Sequence, residues 1–292
     1  MSTEALPPVL ACPGAGPRFL GDLLPVPEPA NSVVKDDLLV VEGRTRIDYT
    51  HFSLSMSKSR RFARWVAWNI DGGTIRKLSR NGIPFIKDPQ VPADAQIGNE
   101  LYSSNRLDRG HIARRADLLW GPLSEAKKAN KDSFFYTNMT PQHEGFNQSG
   151  AGGIWGRLED AIFEEVDVLD FKVTVMGGPV FHADDRLYRN CKIPRDFWKV
   201  IYFRDSAGTP VKSHAYLLTQ EDLLNHIEAL DLDEFKVFEI PISQVENLTG
   251  LTLPKTGTPE SLKSARKKMT RAPESASDSR VRQISSIREI VG

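Results

Sequence analysis

Four stretches of this chain hold side chains whose types and order suit reaction at an anionic centre: NRLDRGHIARRADLLWG (105–121), TNMTPQ (137–142), FNQ (146–148) and WGRLE (155–159). An imidazole with a pKa near neutrality is unprotonated at physiological pH and still accepts a proton from water, which makes His111 the natural general base. Arg109, two residues earlier, shares its face if the stretch is extended, and a guanidinium meets anionic oxygens with a fork of donors. Asn147 offers a neutral amide oxygen, which is adequate for a magnesium ion that takes few protein ligands and keeps several waters. Glu159 could then accept hydrogen bonds from metal-bound water. Hydrolysis of a phosphodiester needs a base for water, a cation for charge growing on the phosphoryl oxygens, and help for the leaving oxygen; these stretches hold candidates for all three.

Elements able to position these groups are visible in the hydrophobic pattern. Apolar runs of strand type recur at 36–41, 63–70, 171–181 and 197–203, and helical patterns at 124–131, 154–166 and 220–230. Strands and helices in irregular order predict an α+β domain with a mixed, largely antiparallel central sheet flanked by helices. Residues 1–30 read as an irregular Pro/Gly-rich leader draping over the domain at 31–255, and 256–292 as a polar, basic tail whose apolar end docks back as a short helix. Trp65, Trp68, Trp155, Trp198 and Phe203 fall inside these patterns and are assigned to the core rather than to base stacking. SKSRRFARW (57–65) reads as a solvated turn entering a strand.

Composition limits the partners. Lys plus Arg equals Asp plus Glu at 38 each, so a polyanion site must be locally basic. Arg106, Arg109, Arg114 and Arg115 supply such a locality beside a base and a metal ligand. Two cysteines, Cys12 and Cys191, give no disulfide framework, and no secretory signal or apolar run of membrane-spanning length is present. A cytoplasmic protein without a membrane role is expected, with export lacking a cleaved signal as the alternative. His51, His143, His182, His214 and His226 show no paired-ligand spacing, and His143 draws interest only by its nearness to Asn147.

In combination and in this order, DRGH, TNMTPQ, FNQ and WGRLE resemble the non-specific DNA/RNA endonuclease family, which includes secreted bacterial nucleases and mitochondrial endonuclease G. The resemblance is strongest over 105–160 and extends more weakly from about Asp48 to about Leu253. It implies a ββα-metal finger at roughly 105–166, two strands presenting His111 and the following helix presenting Asn147. It also implies His111 as general base, Arg109 on the substrate phosphate, Asp108 orienting the segment, Asn147 as ligand of Mg2+ or Mn2+, and Glu159 near the metal's water shell. Arg80, with Arg76 as second choice, matches an upstream arginine that stabilises the transition state. Arg106, Arg114, Arg115 and Asn138 are expected on the substrate side, Asn138 also supporting the finger. Two departures stand out. Arg114 occupies a position where relatives often carry proline, and SGAGG lengthens the Asn147–Glu159 interval by about one helical turn, with glycines that argue against a continuous helix.

The resulting expectation is a sugar-nonspecific endonuclease acting on DNA and RNA, leaving 5′-phosphate ends, with a homodimeric state implied by the family. A phosphodiesterase of nucleotides or small diesters, a non-catalytic nucleic-acid or partner-binding module, and a toxin or defence effector are the rivals. Because an uncontrolled nuclease endangers its own cell, an inhibitor or an activating partner is expected.

Overall fold

The structure is a computed structural model that describes residues 14–148, 153, 155–160, 162, 171–204, 210–224, 236–256 and 282–284. The first elements in chain order are β1 (Glu28–Pro29), α1 (Ser32–Asp37), β2 (Ile47–Asp48), β3 (Phe52–Met56), β4 (Ala63–Asp71), β5 (Leu107–His111), α2 (Leu123–Asp132), β6 (Met139–His143) and α3 (Glu144–Asn147). A helical stretch at 155–160 is labelled α4. There follow β7 (Lys172–Val180), β8 (Arg186–Tyr188), β9 (Cys191–Ile193), β10 (Asp196–Phe203), β11 (Lys212–Thr219), α5 (Glu221–Leu224), β12 (Lys236–Glu239), α6 (Ile242–Thr249), β13 (Leu251–Thr252) and β14 (Arg282–Ile284).

Eight strands form the main sheet in the order β14-β12-β11-β10-β7-β4-β3-β2, and every pairing between them is antiparallel. The expected α+β class is therefore realised with a more uniform sheet than anticipated. Its central strands are apolar at both parities because both faces are covered. On β4, Val66, Trp68 and Ile70 enter one core while Trp65 and Ala67 enter the other. On β10, Phe197 and Ile201 face the first core, Trp198, Val200 and Tyr202 the second, and Lys199 falls between Phe197 and Ile201. The first core lies beneath Phe146, Trp155 and Leu158, so the segment bearing the candidate residues packs on that side of the sheet.

Several sequence expectations need correction. The run 36–41 is not a strand: Asn31 caps a short helix by accepting the Val34 N–H at 2.9 Å, and that helix extends through Asp37. Leu38 and Val41 then make only isolated bridges, to Ser57 and Arg44. Near the end of the tail, Arg282–Ile284 pair with the free edge of β12 as β14; the short helix expected of the apolar end, 284–292, lies beyond Ile284 outside the described residues. Helices predicted at 154–166 and 220–230 are present over 155–160 and Glu221–Leu224; the remainder lies largely outside the described residues. The described leader is part of the domain: Ala15, Leu20 and Leu24 are buried in the second core, and the Gly14 N–H bonds the Tyr49 carbonyl at 3.0 Å. The arginines of 57–65 are tied down, Arg60 to Asp185 at 2.7 Å and Arg64 to Asp37 at 2.6 Å.

Close approach of backbones fixes the centre of the sheet. A Cβ at Gly178 would stand 2.7 Å from the Arg64 carbonyl oxygen, and backbone cannot yield as a flexible side chain can. Gly178→Ala is expected to lower unfolding free energy by about 1–3 kcal/mol, the usual range for overpacking. Urea denaturation followed by circular dichroism measures it, and an unchanged midpoint would contradict this packing.

Candidate active site

β5 and β6 form a separate two-stranded antiparallel ribbon in which Asp108 faces Gln142, Gly110 faces Thr140 and His111 faces Met139. The chain leaves β6 directly into α3. His143 caps that helix, its Nδ1 accepting the Gly145 N–H at 3.1 Å, while its own backbone N–H is held by Gln220 at 2.8 Å. His143 thus serves the turn between strand and helix. Ribbon and helix together have the ββα shape, carrying His111 on the first strand and Asn147 at the end of the helix.

Alternation divides the residues of β5. Arg109 and His111 point to one side, where they share Phe85: the guanidinium lies 5.1 Å from its ring centre, and the imidazole 5.9 Å. Arg109 also donates to the Tyr136 hydroxyl at 3.3 Å and to Asn99. His111 packs edge-on against Phe134 at 5.5 Å, and its Nε2 is sealed from solvent with no hydrogen-bond partner. Burial, with Arg115 and Arg80 nearby, pushes the His111 pKa down to about 3, so the imidazole is neutral throughout the physiological range. Arg80 is exposed and belongs to this electropositive surround, whereas Arg76 turns away to the Gly121 carbonyl.

Asp108 points to the other side of β5 and accepts from the Asn147 Nδ2 at 2.9 Å and from the Gln148 Nε2 at 2.8 Å. A carboxylate can only accept here, so the Asn147 amide must turn its NH2 toward Asp108, leaving Oδ1 as the atom directed elsewhere. That donor fits a hard divalent cation whose remaining positions are water and phosphate oxygen. Among the described residues no group of three or more His, Cys, Asp or Glu side chains could hold a metal. No contact joins His111 to Asn147 directly. Asp108, which holds Asn147, and His111 are three residues apart on β5, roughly 10 Å along a strand.

Glu159 lies in a third cluster. It is buried, its Oε1 3.0 Å from Lys199 and its Oε2 3.9 Å from Arg114. Arg114 also donates to the Glu159 carbonyl at 3.0 Å and pairs with Asp160. Asp117 is beside them, taking the Trp68 Nε1–H at 3.0 Å; burial pushes its carboxyl up to about 6, against Arg114 and Lys199. Helix is not continuous from Asn147 to Glu159: α3 ends at Asn147, and the Gly153 N–H bonds the Gln148 carbonyl at 2.8 Å, with 149–152 and 154 outside the described residues.

The remaining basic residues are engaged. Arg106 bonds Glu144 at 2.7 Å, and Arg115 donates to the Leu78 carbonyl at 3.0 Å and to Asn130 at 3.1 Å. Asn138 corrects one expectation. It is fully buried, accepts the Ala113 N–H and donates to the Ala113 carbonyl, both at 3.0 Å, and so braces the loop after His111 instead of reaching substrate. Two residues were not singled out in the sequence. Gln142 is buried across Gly110 with both amide atoms unpartnered; Lys199 interrupts an apolar strand, which is the one signal that could have drawn attention to it.

A ββα finger carrying a neutral imidazole and an oriented amide, laid on an antiparallel sheet, fits a hydrolase of the nuclease class. Residues 31–260 match the family described as DNA/RNA non-specific endonuclease, and the chain belongs to that family. It is 35% identical over 218 residues to an uncharacterised protein of Sinorhizobium fredii, covering 70% of this chain but only 32% of that protein. It is 30% identical over 214 residues to a protein of Serratia marcescens named nuclease, covering 69% of this chain and 72% of the relative. A solved structure of the EndoG/EndoGI complex, concerned with the inhibition of EndoG, superposes with a TM-score of 0.55 at 21% identity, over 71% of this chain and 84% of the other, a likeness of fold.

A histidine whose folded pKa lies below its unfolded value binds fewer protons than the unfolded chain between the two pKa values, so stability falls as pH drops through that window. His111 places the window between about 6.5 and about 3. Asp117, raised from 3.8 to about 6, works oppositely: its contribution is present at low pH and lost as pH rises through about 6. Melting temperatures of wild type and His111→Asn from pH 7 to pH 4 should therefore diverge, the wild type losing more stability on acidification. Parallel curves would show that His111 is not held neutral.

Proposed function

We propose that this chain cleaves the phosphodiester backbone of DNA and RNA with His111 as general base and Asn147 as ligand of Mg2+ or Mn2+, leaving 5′-phosphate ends. The observation that carries this reading is the pairing, on one ββα finger, of an unpartnered His111 Nε2 with an Asn147 amide fixed by Asp108. A bound cation would supply neutralisation of charge on the phosphoryl oxygens and on the leaving 3′-oxygen.

The residues of the chain divide the remaining work. His111, neutral and packed against Phe85 and Phe134, accepts the proton of the attacking water; its low intrinsic basicity rises once a dianionic transition state lies nearby. Arg109, fixed between Phe85, Tyr102, Tyr136 and Asn99, offers guanidinium donors to the phosphate without first having to be ordered. Arg80 and Arg115 add positive potential beside the base, which favours a polyanion although the chain as a whole is neutral. Contacts confined to phosphate and sugar carry no sequence information directly, which accounts for nonspecific cleavage.

A homodimer is proposed from the family. An inhibitor partner is proposed by analogy with EndoG, for which a complex with EndoGI is described.

His111→Ala should reduce plasmid cleavage in Mg2+ by about 10²–10⁴-fold, the scale of general base catalysis, while DNA affinity in EDTA stays the same. Retained turnover would reassign the base. Asp108→Ala frees the Asn147 amide to rotate and should weaken Mn2+ affinity about 10–100-fold, as loss of an outer-shell partner does. Titration calorimetry of the protein with Mn2+ alone reads this directly, and an unaltered isotherm would dissociate Asn147 from metal binding.

A further inference from the structure

Lys199 is the residue of this molecule whose placement is hardest to justify as structure alone. Its side chain is 1% exposed in the middle of β10, on the face otherwise occupied by Phe197 and Ile201. Such a charge is tolerated only when paired, and a well-packed apolar residue would serve stability as well or better. The surroundings are shaped for the ammonium. Gly177 stands opposite Lys199 on β7, and the missing side chain there leaves Trp68 to pack close by, its ring 5.4 Å from Nζ. Trp155 brings its ring to 4.0 Å, and Glu159, one helical turn later on α4, receives the ammonium at 3.0 Å.

The same stretch of β10 seats the metal half of the finger. Phe197 packs at 5.4 Å from Phe146, the neighbour of Asn147, and at 5.5 Å from Trp155, while Phe146 and Trp155 lie 6.0 Å apart. Phe197 thus fixes the bodies of α3 and α4, and Lys199, two residues on, fixes the carboxylate that α4 carries. Lys199 holds Oε1 at 3.0 Å, which leaves Oε2 on the Arg114 side, 3.9 Å from that guanidinium.

We propose that Lys199 is a positioning residue for phosphodiester hydrolysis, holding Glu159 in the orientation from which it accepts hydrogen bonds from metal-bound water. This rests on the reading of Asn147 as the metal ligand and of Glu159 as the partner of the metal's water shell, which the family resemblance implies. Lys199 itself touches neither substrate nor cation.

The test is a cycle of wild type, Lys199→Met, Glu159→Gln and the double variant, read by Mn2+ binding in electron paramagnetic resonance titration, by kcat and KM on DNA in Mg2+, and by thermal melting. Lys199→Met should weaken Mn2+ binding and lower kcat, each about tenfold or more, the scale for loss of an outer-shell partner, with KM for DNA unchanged. Added to Glu159→Gln, it should change neither quantity further. Equal losses from Lys199→Met in both backgrounds, or none in either, would overturn the proposal. If Lys199→Met leaves Glu159 too destabilised in the interior to fold, the double variant, which buries no charge, compared with Glu159→Gln still decides: matched metal affinity and kcat support the proposal, and a further fall refutes it. Wild-type protein that binds Mn2+ in a Lys199-dependent way but leaves DNA intact would reject the nuclease reading while sustaining the positioning role.

Discussion

The site depends on the hydrogen bond between the Asn147 amide and the Asp108 carboxylate. An asparagine at the end of a helix only four residues long has little intrinsic order. Tying its Nδ2 to the strand that carries His111 orients the amide and couples the helix to the ribbon in one contact. The rest of the finger supports that contact: His143 caps the helix start, Gln220 anchors His143, and the Gly153 N–H bonds the Gln148 carbonyl.

Electrostatics in this chain are local rather than global. Equal numbers of acidic and basic residues leave no net field, yet Arg80, Arg109 and Arg115 surround an imidazole that burial already holds neutral. A second charge cluster, Glu159 with Lys199, Arg114, Asp117 and Asp160, lies across the finger on the sheet side. Arg114 and Arg115 are adjacent in sequence and belong one to each cluster, so the loop after His111 joins the two; Asn138 braces that loop from beneath.

The division of labour between cores has the same logic. One face of the sheet receives the described part of the leader and α6, which close the second core, and Phe19 of the leader also meets Trp120 at 5.6 Å. The other face receives Phe146, Trp155 and Leu158, so the segment bearing the chemistry is itself a layer of the first core. Rigidity of the site is then a consequence of apolar packing on both sides of the central strands, where close-packed interiors leave little room for adjustment.

Much was legible in the residues themselves. His111, Arg109 and Asn147 stand out as candidates by residue type and order, and the structure carries all three on one ββα finger; the strands at 63–70, 171–181 and 197–203 follow from apolar runs long enough to cross a covered sheet. The run at 36–41 misled because capping by Asn31 is a local bond that outweighs β-type composition over so few residues. Asn138 looked like a polar group for substrate because sequence carries no burial, and only packing turns its amide onto Ala113. Lys199 was hidden among apolar neighbours for the same reason: its partner Glu159 is forty residues away in the chain and three ångströms away in space. Residue chemistry and periodicity are properties of nearby covalent structure, so the sequence determined them. Which oxygen meets which donor depends on contacts closed across the whole sheet, and that the tertiary structure alone decided.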